Sequence, residues 1–210
     1  MKRIIEIPRQ ARGAELRAAS FDEKDNSIEL CFTTGATVRR RSWSDGPFDE
    51  ELIVTPEAVR LDRLNAGAPF LNTHSDWSLE DVIGSVVPGT ARIEGGKGFA
   101  RVQLSAAPAD ADNVAKIRDG IIRNVSVGYA IHRVEKIEAS EGTVPVWRVV
   151  DWEPFEISAV PIPADPGAQV RSGESADKSR LNACEFTDAL PGAALRRARM
   201  SMIGRSARSA

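Results

Sequence analysis

Ser126 lies in Asp119-Gly120-Ile121-Ile122-Arg123-Asn124-Val125-Ser126-Val127-Gly128-Tyr129. Side chains alternate between the faces of a strand, so Ile121, Val125, Val127, Tyr129 and Ile131 point one way, and Asn124, Ser126, Gly128 and Ala130 the other. The first face is apolar and belongs in a core. The second is small and polar and leaves room above Ser126. A serine there is a candidate nucleophile if a base can take its proton and a third group can orient that base. The sequence holds two histidines, His74 and His132. His132 shares the strand and face of Ser126, but at ~3.4 Å per residue it lies about 20 Å away, beyond hydrogen-bond reach. His74 is therefore the candidate base. For the orienting group, Asp76 reads as serving its own turn. Glu156 sits in the mostly apolar Trp152-Glu153-Pro154-Phe155-Glu156-Ile157-Ser158, where a carboxylate needs a partner. That partner is either the histidine or an arginine such as Arg123 or Arg148. The alternative without chemistry makes His74 a turn residue bonded to Asp76, and Ser126 a satisfied strand hydroxyl.

The elements that must position these groups are mostly short strands. Strands are expected at Lys2 to Pro8, Glu15 to Phe21, Ser27 to Thr33, Ala36 to Ser42, Val82 to Val87, Val146 to Val150 and Phe155 to Ile162, with the Ser126 strand running to about Val134. Gly95-Gly96-Lys97-Gly98 turns a hairpin between Ala91-Arg92-Ile93-Glu94 and Phe99 to Leu104. Thr55-Pro56 is a helix-start signal for Pro56 to about Asn65. Ala109 to Asp119 has a helical apolar face ended by Gly120. With no regular alternation of strand and helix, this is a mainly β chain with flanking helices, and the expected architecture is an antiparallel β-barrel. From about residue 168 Ser, Ala, Gly and Arg dominate, which reads as a domain over 1–168 and a flexible basic tail over 169–210, with a short amphipathic helix at Ala193 to Ile203.

Composition narrows the classes. The net charge is −2, so the chain as a whole gives no argument for nucleic acid. The sign is uneven: from Arg171 onward eight Lys or Arg face four Asp or Glu. Two well-separated cysteines, Cys31 and Cys184, argue against a disulfide framework and fit a reducing cytosol. No apolar run approaches the roughly 18 residues that would span a bilayer, and the charges at Lys2, Arg3 and Glu6 argue against a signal peptide. No cofactor is expected: the Gly95 turn lacks phosphate-loop spacing. A metal site from His74, Asp76, Asp81 and His132 lacks ligand spacing. Trp43, Trp77, Trp147 and Trp152 read as core or rim.

Three segments in order, Phe70-Leu71-Asn72-Thr73-His74-Ser75-Asp76-Trp77, Gly120 to Tyr129, and Trp152 to Pro166, resemble the prohead maturation proteases of tailed phages, a family similar in fold to the herpesvirus protease assemblin. The resemblance covers roughly residues 50–170. It implies a serine endopeptidase built on an antiparallel closed β-barrel of the assemblin-like type, with His74 as general base and Ser126 as nucleophile. Assemblin uses a second histidine as third member, whereas no histidine follows His132 here. Phage members place an acid near this point, which favours Glu156 over Asp76 or Asp151. It further implies cleavage of scaffold and major capsid protein, and of the protease itself, inside the immature prohead in the bacterial host cytoplasm, and a homo-oligomer. Backbone N–H groups would form the oxyanion hole, by position those of Asp165, Gly167 or Ala168. Two other classes are a non-catalytic capsid assembly or scaffolding protein of the same fold, and a metal-dependent hydrolase.

Overall fold

Val125, Val127, Tyr129 and Ile131 alternate with smaller residues, and this part of the chain builds one of two long strands around which the sheet assembles. The computed structural model describes residues 2–8, 10–16, 21–42, 46–162 and 181–188. Their strands are β1 (Lys2–Pro8), β2 (Gln10–Leu16), β3 (Ser27–Thr33), β4 (Val38–Ser42), β5 (Gly46–Leu52), β6 (Pro69–Asn72), β7 (Val82–Val86), β8 (Arg92–Glu94), β9 (Lys97–Leu104), β10 (Asn124–Ile137), β11 (Val146–Val160) and β12 (Leu181–Asp188). Two short helices, α1 (Asp62–Asn65) and α2 (Ala111–Arg118), accompany them.

The expected antiparallel closed barrel is corrected here. Among the described residues the strands form one sheet in the order β1-β12-β10-β2-β3-β9-β7-β6-β11-β5-β4, with β8 on β9 and no pairing between the end strands β1 and β4. Three pairings are parallel: β10 with β12, β11 with β5 and β11 with β6. The cause is strand length. At 14 and 15 residues, β10 and β11 outrun their shorter neighbours, so each takes different partners along its length. β10 meets β2 over Asn124–Tyr129 and β12 over Arg133–Lys136. β11 meets β5 over Val146–Val149 and β6 over Ile157–Ala159. The two long strands also pair with each other, folding the sheet's path back on itself.

Four local expectations change as well. The two strands foreseen at Val146 to Val150 and Phe155 to Ile162 are one strand, because Pro154 falls at a register shift opposite Gly128 and Tyr129 and needs to donate no ladder bond there. The helix from Pro56 shrinks to α1, because Ala58 to Arg60 bond instead to Trp152 of β11. Ile121 is not a core residue: it precedes the strand and is 71 % exposed. Finally, Leu181–Asp188, inside the expected tail, forms β12 and buries Cys184 and Phe186. The expected helix at 193–203 and the tail's other residues lie outside the described residues.

Trp152, Tyr129, Phe32 and Phe70 lead the core. A polar knot crosses it: Arg40 donates to Glu50 at 2.9 Å and to the Tyr129 hydroxyl at 2.9 Å, and that hydroxyl donates to Glu50. Burial lowers the Arg40 pKa, but the charges and hydrogen bonds of Tyr129 and Glu50 outweigh it and leave a net upward shift, so the guanidinium stays charged. The knot ties β4 and β5 to β10. No helix among the described residues is long and apolar enough to cross a membrane.

Candidate active site

The His74 side chain is set by an unusual turn. β6 ends at Asn72, and the next two residues take left-handed backbone, Thr73 at φ 52° and His74 at φ 61°. A β-branched residue there is rare, and each such position costs on the order of 1–3 kcal/mol. The turn is pinned by the Thr73 N–H to the Ala159 carbonyl at 3.0 Å, the Ser75 N–H to the Asn72 carbonyl at 3.0 Å, and the His74 N–H to the Ser158 hydroxyl at 3.1 Å. Asp81 steadies the following loop by accepting from the Ser75 hydroxyl at 2.6 Å and the Ser78 N–H at 3.0 Å. Asp81 is therefore a loop brace, and no group of three or more His, Cys, Asp or Glu among the described residues is placed to hold a metal.

The turn carries the imidazole to β11. His74 Nδ1 lies 2.8 Å from Glu156 Oε1. A carboxylate only accepts, so Nδ1 carries the proton and Nε2 keeps its lone pair. Glu156 is 5 % exposed, and its other oxygen accepts from Ser158 at 2.6 Å. Neither proposed arginine reaches it: Arg123 donates to the Gly120 carbonyl, and Arg148 pairs with Glu51 and Glu135. Of the alternative acids, Asp151 takes a two-point clamp from Arg60 at 2.7 Å and 2.7 Å.

Ser126 pairs in register with Ser158, and Gly128 with Glu156. Direct cross-strand partners share a face with Cβ atoms about 5 Å apart. The two serines differ in what their hydroxyls do. Ser158 is fully buried, donates to Glu156 and accepts from His74. Ser126 is 2 % exposed and, among the described residues, its hydroxyl has no hydrogen-bond partner. The expected open space above it is closed to solvent, and no described group satisfies its hydroxyl. No hydrogen bond joins it to His74 in this structure; hydrogen bonds between catalytic groups are often long in unliganded sites and tighten with substrate. Gly128 gives Glu156 its place, since a Cβ there would stand 2.1 Å from Oε1.

His132 lies apart, where β10 shifts register against β11, with Nε2 3.8 Å from Glu153. Sequence reading missed Ser158 as a member of the site. The one signal was its place two residues after Glu156, on the same strand face. The suggested oxyanion donors Asp165, Gly167 and Ala168, like Trp43, lie outside the described residues. Trp147 and Trp152 are core, whereas Trp77 is 82 % exposed.

The family model described as caudovirus prohead serine protease matches residues 44–181. A major capsid protein of Halomonas phage phiHAP-1 is 35 % identical over 122 residues, 58 % of this chain and 20 % of that protein. A capsid polyprotein of Pseudomonas phage PAJU2 is 38 % identical over 64 residues, 30 % of this chain and 9 % of that protein. The chain thus spans a fifth or less of the curated relatives it matches. Among solved structures it is similar to the bacteriophage T4 capsid assembly protease, with a TM-score of 0.42 and 13 % identity over 76 % of this chain and 98 % of that one.

Proposed function

The chain belongs to the caudovirus prohead serine protease family, and on that premise we propose that it is a serine endopeptidase with Ser126 as nucleophile, His74 as general base and Glu156 as the orienting acid. The observation that carries this reading is the 2.8 Å bond between His74 Nδ1 and Glu156 Oε1, set one cross-strand pair from an unpartnered Ser126 hydroxyl. Glu156 holds the imidazole in the tautomer whose Nε2 accepts a proton and stabilises the charged ring that results. Ser126 loses its proton to that nitrogen and attacks the scissile carbonyl. The amine leaves with the same proton, and water, activated in turn by His74, releases the acyl group.

The substrates are phage capsid and scaffold proteins, cleaved inside the immature prohead in the host cell. The curated relatives support this, because segments like this chain occur within much longer proteins named for the capsid. The protease is a homo-oligomer. Beyond Asp188, the stretch from Leu190, with five Arg and no acid, docks on those partners and is removed by self-cleavage.

The test is co-expression with the capsid and scaffold genes, read by mass spectrometry. Wild type yields cut products. Ser126→Ala leaves all substrates full length, and Glu156→Gln slows cutting by about 10⁴-fold while the protein stays folded. Unchanged processing by Ser126→Ala overturns the reading in favour of a non-catalytic assembly protein. Loss of cutting with chelator, without labelling by a serine-directed fluorophosphonate, favours a metal-dependent hydrolase.

A further inference from the structure

One hydroxyl joins the two residues that must act on Ser126. Ser158 Oγ gives its single proton to Glu156 Oε2 at 2.6 Å and accepts the His74 N–H at 3.1 Å. The directions are fixed, since an amide N–H only donates and a carboxylate only accepts. Ser158 is 0 % exposed, so no solvent competes for these bonds. Glu156 is thereby held at both oxygens, Oε1 by the imidazole and Oε2 by Ser158, which fixes the plane of the carboxylate. The same hydroxyl anchors the left-handed backbone of His74, a conformation that persists only where its surroundings over-determine it. Ser158 also faces Ser126 across the strand pair, so the scaffold that places the nucleophile places the brace.

We infer that Ser158 is the positioning residue of this site: one buried hydroxyl sets both the carboxylate plane of Glu156 and the backbone from which His74 presents its imidazole. This rests on the serine protease reading above. Ser158 touches no substrate and transfers no proton. It acts through the other two, as outer partners of catalytic and metal-binding groups do, where their loss costs on the order of 10- to 100-fold.

The experiment follows labelling of Ser126 by a fluorophosphonate, which needs the serine and its base but no knowledge of the natural cleavage site. Labelling rates of the full chain are measured from pH 5 to 9, with the labelled residue located by mass spectrometry and folding followed by circular dichroism. Wild type labels at Ser126, at a rate that rises through one midpoint. Ser158→Ala labels 10- to 100-fold more slowly, with its midpoint displaced from that of wild type, because the hydroxyl that orients the carboxylate against the imidazole is gone. Ser158→Thr and Ser158→Val, alike in volume, separate hydroxyl from packing: the threonine form recovers rate and midpoint relative to the valine form. Labelling of Ser158→Ala within about twofold of wild type at an unchanged midpoint overturns the inference, as does equal labelling of the threonine and valine forms. Failure of wild type itself to label at Ser126 instead overturns the protease reading on which the inference depends.

Discussion

At the residue scale, the site is a contest for the space around one carboxylate. Glu156 occupies the volume that a side chain at position 128 would fill: a Cβ on Gly128 would lie 2.1 Å from Oε1 and 2.8 Å from the carboxyl carbon. All three nearest atoms belong to the Glu156 side chain, and none to backbone. Gly128→Ala should therefore leave the fold standing while pushing Glu156 off His74. The expected outcome is a melting temperature within a few degrees of wild type with turnover falling toward that of Glu156→Gln. Wild-type turnover in Gly128→Ala would mean that Glu156 is not needed where it stands. The sequence made Gly128 visible only as a small residue beside Ser126. That its missing side chain makes room for Glu156 depends on the register of β10 against β11, which no single strand encodes.

At the element scale, β11 organises its surroundings through backbone and charge together. The segment leading to α1 bonds to Trp152 through Ala58 and Arg60, and the Arg60 guanidinium clamps Asp151 next to it. Burial raises the Asp151 pKa, but the hydrogen bonds and charge of Arg60, with His132 and Arg133 behind, overcome this and leave it below the usual carboxylate range. A carboxylate depressed in the folded state adds stability above its unfolded pKa of about 3.9 and loses it as pH falls through the folded value. Wild type should thus be more stable than Asp151→Asn at pH 7, by less than about 1 kcal/mol because half of Arg60 is in solvent. The difference should shrink as pH falls below about 3.9 and through the lower folded value, as read from melting temperatures measured over the acid range. A gap that persists at low pH would assign it to something other than the ion pair.

At the scale of the whole molecule, β12 closes over the core from far along the chain. It lies between β1 and β10, buries Cys184 and Phe186, and sets the Phe186 ring edge-on to Trp147 with centroids 4.9 Å apart. Burial, with the charges of Asp151 and Glu185, pushes the Cys184 thiol up to about 12. A protonated, covered thiol is a poor nucleophile. Native protein at pH 8 should leave Cys184 unmodified by iodoacetamide, while denaturant opens it at once, as peptide mass mapping would show. Modification of native Cys184 at the rate of a free thiol would mean that β12 is not held in the sheet.

The sequence by itself determined the chemistry's raw material and the local shapes: a serine on a two-faced strand, one histidine left as candidate base once His132 is excluded by distance, an acid in apolar surroundings, the Gly95-Gly96 hairpin, and α2 ended by Gly120 in left-handed backbone. These are settled by side-chain type and period over a few residues. The tertiary structure alone decided which acid meets His74, which of two facing serines is left unpartnered, that Ser158 braces the pair, and that parallel partners and β12 replace a simple antiparallel barrel. Those outcomes rest on register and strand direction between segments far apart in the chain, such as His74 and Glu156, 82 residues apart. Alternation along a strand fixes which side chains share a face, but not which strand, in which direction, lies beside it.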